Sequence, residues 1–217
     1  MSGMDLATIS WPTIASLATA AGTLVLAMAT FASVRSANRS ARVAELALQE
    51  RRRPVLVPSR LDDPLQKIMF ADGHWVHVPG SGAAAEHVDG TVYLAISLRN
   101  VGAGIGVLQG WSVRAGLQTS RVGHVDEREF RAHTRDLYIP AGDVGLWQGA
   151  LRDPEDHAHS EIVDAAGGRQ TISVELLYTD QVGGQRTISR FNLSPVGEDA
   201  WMAGVGRHWY LDRDGPR

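Results

Sequence analysis

The chain has 217 residues, 44% of them hydrophobic, with 23 glycines and no cysteine. It is long enough for one domain plus an anchor, or for two very small domains, and too apolar to be disordered, and it has no disulfide, thiolate metal site or cysteine nucleophile. Charge is unevenly spread: residues 1–53 hold Arg35, Arg39, Arg42, Arg51, Arg52 and Arg53 against Asp5, Glu45 and Glu50, so a net −3 overall becomes +3 there and −6 over residues 54–217. An acidic main body argues against nucleic acid, whose phosphates need a basic face.

The first element is a transmembrane helix within residues 1–35. No residue from Leu6 to Val34 is charged, and the densest apolar run is Ile14 to Val34. A helix needs about 20 mostly apolar residues to cross a hydrocarbon core about 30 Å thick. Trp11 is placed to anchor the end at the interface, and Pro12 falls near the first turn, where a missing N–H costs nothing. A signal peptide would bring a basic start and a shorter core, whereas Asp5 is the only charge before this one. The other alternative is a buried helix of a soluble domain. Arg35, Arg39 and Arg42 follow the apolar run and no Lys or Arg precedes it. That asymmetry predicts the N-terminus outside and the C-terminal domain cytoplasmic, at the cell membrane. Trp11, Arg35, Arg39 and Arg42 are the expected contacts with the bilayer and its headgroups.

Residues 36–53 form the second element, a basic helical juxtamembrane stalk. It contains no Gly or Pro, and Pro54 stops it. Ala37, Ala41, Ala44 and Leu48 share a helix face, the spacing of a short coiled-coil homodimer. The competing reading, which an alanine seam under two heptads favours, is a solvated stalk against anionic lipid.

Beyond Pro54 short β-prone runs are punctuated by Gly, Pro and Asp, so residues 54–217 are expected to be mainly β. The expected strands are Val55–Val57, Lys67–Ala71, His74–Val78, Thr91–Arg99, Gly106–Arg114, Asp136–Ile139, Gly145–Gln148, Thr171–Tyr178, Arg186–Asn192 and His208–Leu211. Thr171–Tyr178 and Arg186–Asn192 make the clearest hairpin, turned by Gly183 and Gly184. In Thr91–Arg99 alternation predicts one buried face, formed by Val92, Leu94, Ile96 and Leu98. Ser81–Asp89 and Asp153–Gly168 read as loops, and Val122–Arg135 as a short helix or a solvated connection. The expected architecture is an immunoglobulin-like two-sheet β-sandwich.

Chemistry-bearing motifs are sparse. His157 and His159, two apart in an acidic stretch, would share a face on a strand and form a candidate metal pair. A solvated loop is the competing reading, and no third ligand is fixed. His74 and His77 would point to opposite strand faces. Asp72, His74, Asp126, His133 and Asp136 are further acid/base candidates. Gly102, Gly104 and Gly106 lack the following glycine and helix of a dinucleotide loop, so they read as a turn or bulge. A serine-hydrolase elbow is missing, and the sequence implies neither a catalytic set nor a cofactor. Trp209 and Tyr210 are the candidate partner-binding residues, against a closing strand.

Three segments, Arg53–Val57, Val92–Gly106 and Leu177–Gln185, together resemble a recurring bacterial type, small single-pass proteins with a β-sandwich after a basic stalk. The resemblance implies architecture and no activity. The functional expectation is a membrane-tethered interaction or scaffold protein whose acidic β domain binds a protein partner. The alternative is a metal-binding or hydrolytic domain using the His and Asp residues.

Overall fold

The computed structural model describes residues 11–119 and 123–212, apart from the side chains of Gln49, Thr134 and Asp136. The chain divides into two compact units that meet between Glu50 and Arg51.

The first unit is a single helix, α1 (Trp11–Arg51). It is long and apolar enough to cross a membrane, with a mean hydropathy of 1.8 in its apolar window and none of that window buried. Its 41 residues span about 60 Å at about 1.5 Å per residue. Four of its hydroxyls are turned back on the helix. Ser16 donates to Pro12 O, Thr19 to Ala15 O, Thr23 to Thr19 O and Thr30 to Leu26 O, all at 2.8–2.9 Å. An Ala- and Thr-rich helix therefore shows its surroundings fewer unsatisfied polar groups than its composition implies.

The second unit is a β-sheet domain. Its strands are β1 (Leu56–Pro58), β2 (Gln66–Met69), β3 (Trp75–Val78), β4 (Gly82–Val88), β5 (Thr91–Asn100), β6 (Gly106–Ala115), β7 (Arg131–Ile139), β8 (Val144–Leu151), β9 (Ile172–Thr179), β10 (Thr187–Val196) and β11 (Ala200–Tyr210). One helix, α2 (His159–Gly167), interrupts them. Two sheets result. Nine strands run in the order β1-β5-β4-β11-β10-β9-β6-β7 with β8 on the other edge of β5, and β2 pairs only with β3. The expected strands are present with shifted ends, and the larger sheet is one continuous hydrogen-bonded path.

Three expectations change. Ser81–Asp89 is not a loop but contains β4, paired with β5 from Ala83↔Ile96 to Val88↔Thr91. Two residues, Asp89 and Gly90, connect them with φ of 48° and 78°, the doubly positive geometry of a tight hairpin turn. Within Asp153–Gly168, the carboxylates of Asp153 and Asp156 accept from Glu155 N and Ala158 N at 2.9 Å, and α2 starts on those turns. Val122–Arg135 contains a short 3-10 helix, Glu127–Glu129, capped by Asp126, and then enters β7.

One core is shared across the large sheet. Leu94, Ile96 and Leu98 of β5, Val174 and Leu176 of β9, Phe191 of β10, Trp147 of β8 and Ile162 of α2 are all fully buried in it. Each such side chain contributes about 1.5–3 kcal/mol. The opposite face of β5 is buried too. Ile68, Val76 and Val78 of the β2–β3 hairpin, with Phe70, cover Tyr93 and Ala95. Alternation alone assigned β5 a single buried face; the hairpin supplies the second.

Candidate functional site

The strands at the two ends of the large sheet, β7 and β8, follow one another through a short turn and lie close together without pairing. At the turn the side chain of Ile139 fills the space where a Gly145 side chain would stand. Further along, a guanidinium N–H of Arg135 donates to Gln148 Oε1 at 2.7 Å. Beyond that the strands part around a cavity of about 230 Å³. Trp111 of β6, Arg131 and His133 of β7, Gln148 and Ala150 of β8, and Phe70 line it. Trp111 packs edge-on against Trp147 with ring centroids 5.5 Å apart. Gly149 leaves room for both rings, since a Cβ there would lie 2.7 Å from Trp147.

Charge in this wedge is partly compensated. Arg131 holds Asp156 through two parallel hydrogen bonds of 3.0 and 2.5 Å and lies 5.1 Å over the Trp111 ring. At the rim Arg152 donates twice to Asp72 Oδ2, which also accepts from the Tyr93 hydroxyl at 2.9 Å. Burial pushes the Asp72 carboxyl up, but the bonds from Tyr93, Arg152 and the His74 N–H outweigh it and hold its pKa below the ordinary value. Asp156 behaves alike, with burial opposed by Arg131 and the Ala158 N–H. His133 has no such help: burial alone pushes its pKa down to about 4, so at neutral pH the ring is uncharged. Two buried atoms here have no hydrogen-bond partner among the described residues, Arg131 Nη1 and His133 Nε2.

A second cluster, on the outer face of β9 and β10, is closed. Glu175 and Arg190 are directly opposed in the ladder. Their side chains are 7% and 2% exposed and are joined at 2.5 and 2.9 Å. Arg190 also donates to Thr119 O and Gly123 O, and the Val125 N–H donates to Glu175. The ion pair thus fastens the segment after β6 onto the sheet. Trp209 lies over it, with Arg190 4.8 Å and Arg207 5.4 Å from its ring.

The residues singled out from sequence fall as follows. Trp209 and Tyr210 end β11, the closing strand, and are half-buried. Trp209 packs on the Glu175–Arg190 cluster, and Tyr210 lies under Arg53, 4.3 Å away. His157 and His159 do not share a face, because the stretch is a turn and helix start rather than a strand. The His157 side chain is 80% exposed beside Asp156, while His159 is 8% exposed with Nε2 2.8 Å from Gly90 O. Among the described residues no three His, Cys, Asp or Glu side chains gather as a metal site. His74 stacks on Tyr93 and meets Glu86 at 2.9 Å. The Asp136 side chain lies outside the described residues. Trp11, Arg35, Arg39 and Arg42 are on α1, the last three clustered with Asn38 on one side.

Sequence reasoning missed Arg131 and the Glu175–Arg190 pair. Glu175 alternates with Val174 and Leu176 in β9, so a charge on its outer face looked solvated. Nothing local signals that Arg190 lies opposite.

No protein-family model, curated protein or solved structure matches the chain.

Proposed function

We propose that the chain is a single-pass membrane protein that tethers a cytoplasmic β domain as a binding module for a protein partner. The observation that carries this reading is α1, apolar over a bilayer's thickness, with the hydroxyls of Ser16, Thr19, Thr23 and Thr30 bonded to its own backbone. Arg35, Arg39 and Arg42 flank only its C-terminal end, where they meet anionic headgroups and hold the domain on the inner side. The domain is read as a two-layered sandwich, immunoglobulin-like in the loose sense. Support comes from the one core that β5 and β8 share with β9 and β10. For the binding role the support is the open seam between β7 and β8, a concave, polar-rimmed place on a sheet where the Glu175–Arg190 pair, by contrast, is sealed.

Fractionation and protease protection test the tether together. The full chain should stay with membranes through alkaline carbonate extraction. Protease should digest the β domain in inside-out vesicles and spare it in intact cells. A soluble chain, or digestion from outside, overturns the placement. Crosslinking in intact cells, read by mass, tests the binding role: one heterologous protein is expected. A chain that crosslinks only to itself, through the Ala37–Leu48 stalk face, replaces that reading with a homodimer.

A further inference from the structure

The seam has a direction that its strand register fixes. In an antiparallel ladder each residue turns its N–H and C=O to one side, and neighbours alternate. Asn100 N donates to Asp143 O at 3.1 Å, in register with Ile96↔Trp147, Leu94↔Gly149 and Val92↔Leu151. The backbone groups of Trp147, Gly149 and Leu151 therefore face β5. Those of Leu146, Gln148 and Ala150 face away from it, toward β7. No ladder among the described residues uses them, and β7 is likewise paired only with β6. Natural sheets seldom leave such an edge facing a cavity without a reason, since it is a template for another strand. The middle of β7 is bulged, with Leu108↔Leu137 followed by Gly110↔Ala132, so the strand swings out and leaves the gap.

Chemistry around the gap narrows the occupant. Among the described side chains, Arg131, Arg135 and Arg152 stand at or beside the gap against Asp72 and Asp156, an excess of one positive charge in a domain that is otherwise acidic. Arg131 Nη1 and His133 Nε2 are without partners among the described residues. We propose that the β7–β8 wedge is a strand-docking site, in which an extended segment of a partner protein pairs with the outward backbone of Gln148 and Ala150 and presents an Asp or Glu side chain to Arg131. This rests on the reading of the domain as a partner-binding module and names where and how it binds.

The test uses the full chain in detergent micelles. In the free protein, amide exchange along β8 should alternate: Gln148 and Ala150 exchange at least tenfold faster than Trp147 and Gly149. Short random peptides with a central Asp or Glu should be selected over those with a central Lys or Arg. Selected peptides should slow the Gln148 and Ala150 amides. Ala150→Pro removes only an outward N–H, a change edge strands tolerate, and should weaken peptide binding at least tenfold. A peptide with a backbone ester in place of its docking amide should lose as much, with no change to the protein.

Even protection along β8 in the free chain overturns the proposal. So does selection of no acidic peptide, or equal binding to Ala150→Pro and to the ester. Binding of free glutarate with no peptide bound overturns it in favour of a small-acid pocket. The two readings separate in cells: a partner still crosslinked to Ala150→Pro removes the wedge and leaves the tethered module standing. Peptide binding in micelles with no cellular partner does the reverse.

Discussion

Two clusters of the β domain are built from the same residue types and end in opposite states. On the β9–β10 face, Glu175 and Arg190 are sealed under Trp209 and bonded to the backbone of the covering segment. In the β7–β8 seam, Arg131 has one buried nitrogen without a partner among the described residues, His133 is buried uncharged, and the neighbouring backbone edge carries no ladder. The first arrangement stabilises and can do little else. The second gives up pairing that a closed sheet would have made, and what it leaves is a concave place with directional donors. Pairing state separates structure from binding here better than the presence of charge does.

The largest effect should come from breaking the sealed pair. Arg190→Met leaves Glu175 buried without a counterion, a loss of about 3–5 kcal/mol. Urea unfolding of the full chain in detergent checks it. Replacing both partners, Arg190→Met with Glu175→Leu, should restore most of that stability, because an apolar pair needs no desolvation of charge. If the single and double variants lose equally, the cluster acts through packing of the covering segment, and the contrast with the seam loses its electrostatic basis.

The seam should answer to pH through His133. His133 is uncharged in the folded chain down to a pKa of about 4, whereas an unfolded His protonates near its ordinary 6.5. The unfolded state therefore takes up the proton first as pH falls. Stability is full above 6.5 and is lost toward 4, at a limiting slope of about 1.4 kcal/mol per pH unit. His208, also lowered by burial, acts in the same direction. His133→Gln should flatten the stability curve between those pH values by its own share only. The lowered carboxyls of Asp63, Asp72 and Asp156 act in a separate window, below their ordinary 3.8. An unchanged slope in His133→Gln would mean that water reaches the ring and that the seam is wetter than its geometry implies.

Legibility in the sequence followed how local the cause was. The span and its arginines are contiguous, so α1 was readable to its stop before Pro54. The Gly183–Gly184 hairpin was readable because positive φ has a residue signature; Gly183 has φ of 82°. Asp89-Gly90 carries the same kind of signature, but the alanines before it look like a loop. They are small because β4 is buried on both faces, against the main core through Ala83 and Ala85 and under the β2–β3 hairpin through Ala84. The acidic start of α2 reads as a loop because its helix is short and the aspartates before it, Asp153 and Asp156, close turns with their carboxylates. The seam was out of reach. Which strands remain unpaired depends on the order of the whole sheet, and Arg131 gains its meaning only from Asp156 and Trp111, brought to it by other elements.

The smallest expected effect sharpens the comparison most, because it holds the chemistry constant and changes only exposure. Arg152 and Asp72 form an Arg–carboxylate pair at 2.9 Å, as short as the bond from Arg190 Nε to Glu175, yet their side chains are 47% and 35% exposed. Water and salt screen such a pair, so Arg152→Ala should cost only about 0.2–1 kcal/mol. The Asp72 carboxyl should then titrate closer to its ordinary value, held down only by the Tyr93 hydroxyl and the His74 N–H, and an NMR titration would follow it. A loss near that of Arg190→Met would show that the rim of the seam is as dry as the sealed face. An open wedge ready to take a strand would then be the wrong description of it.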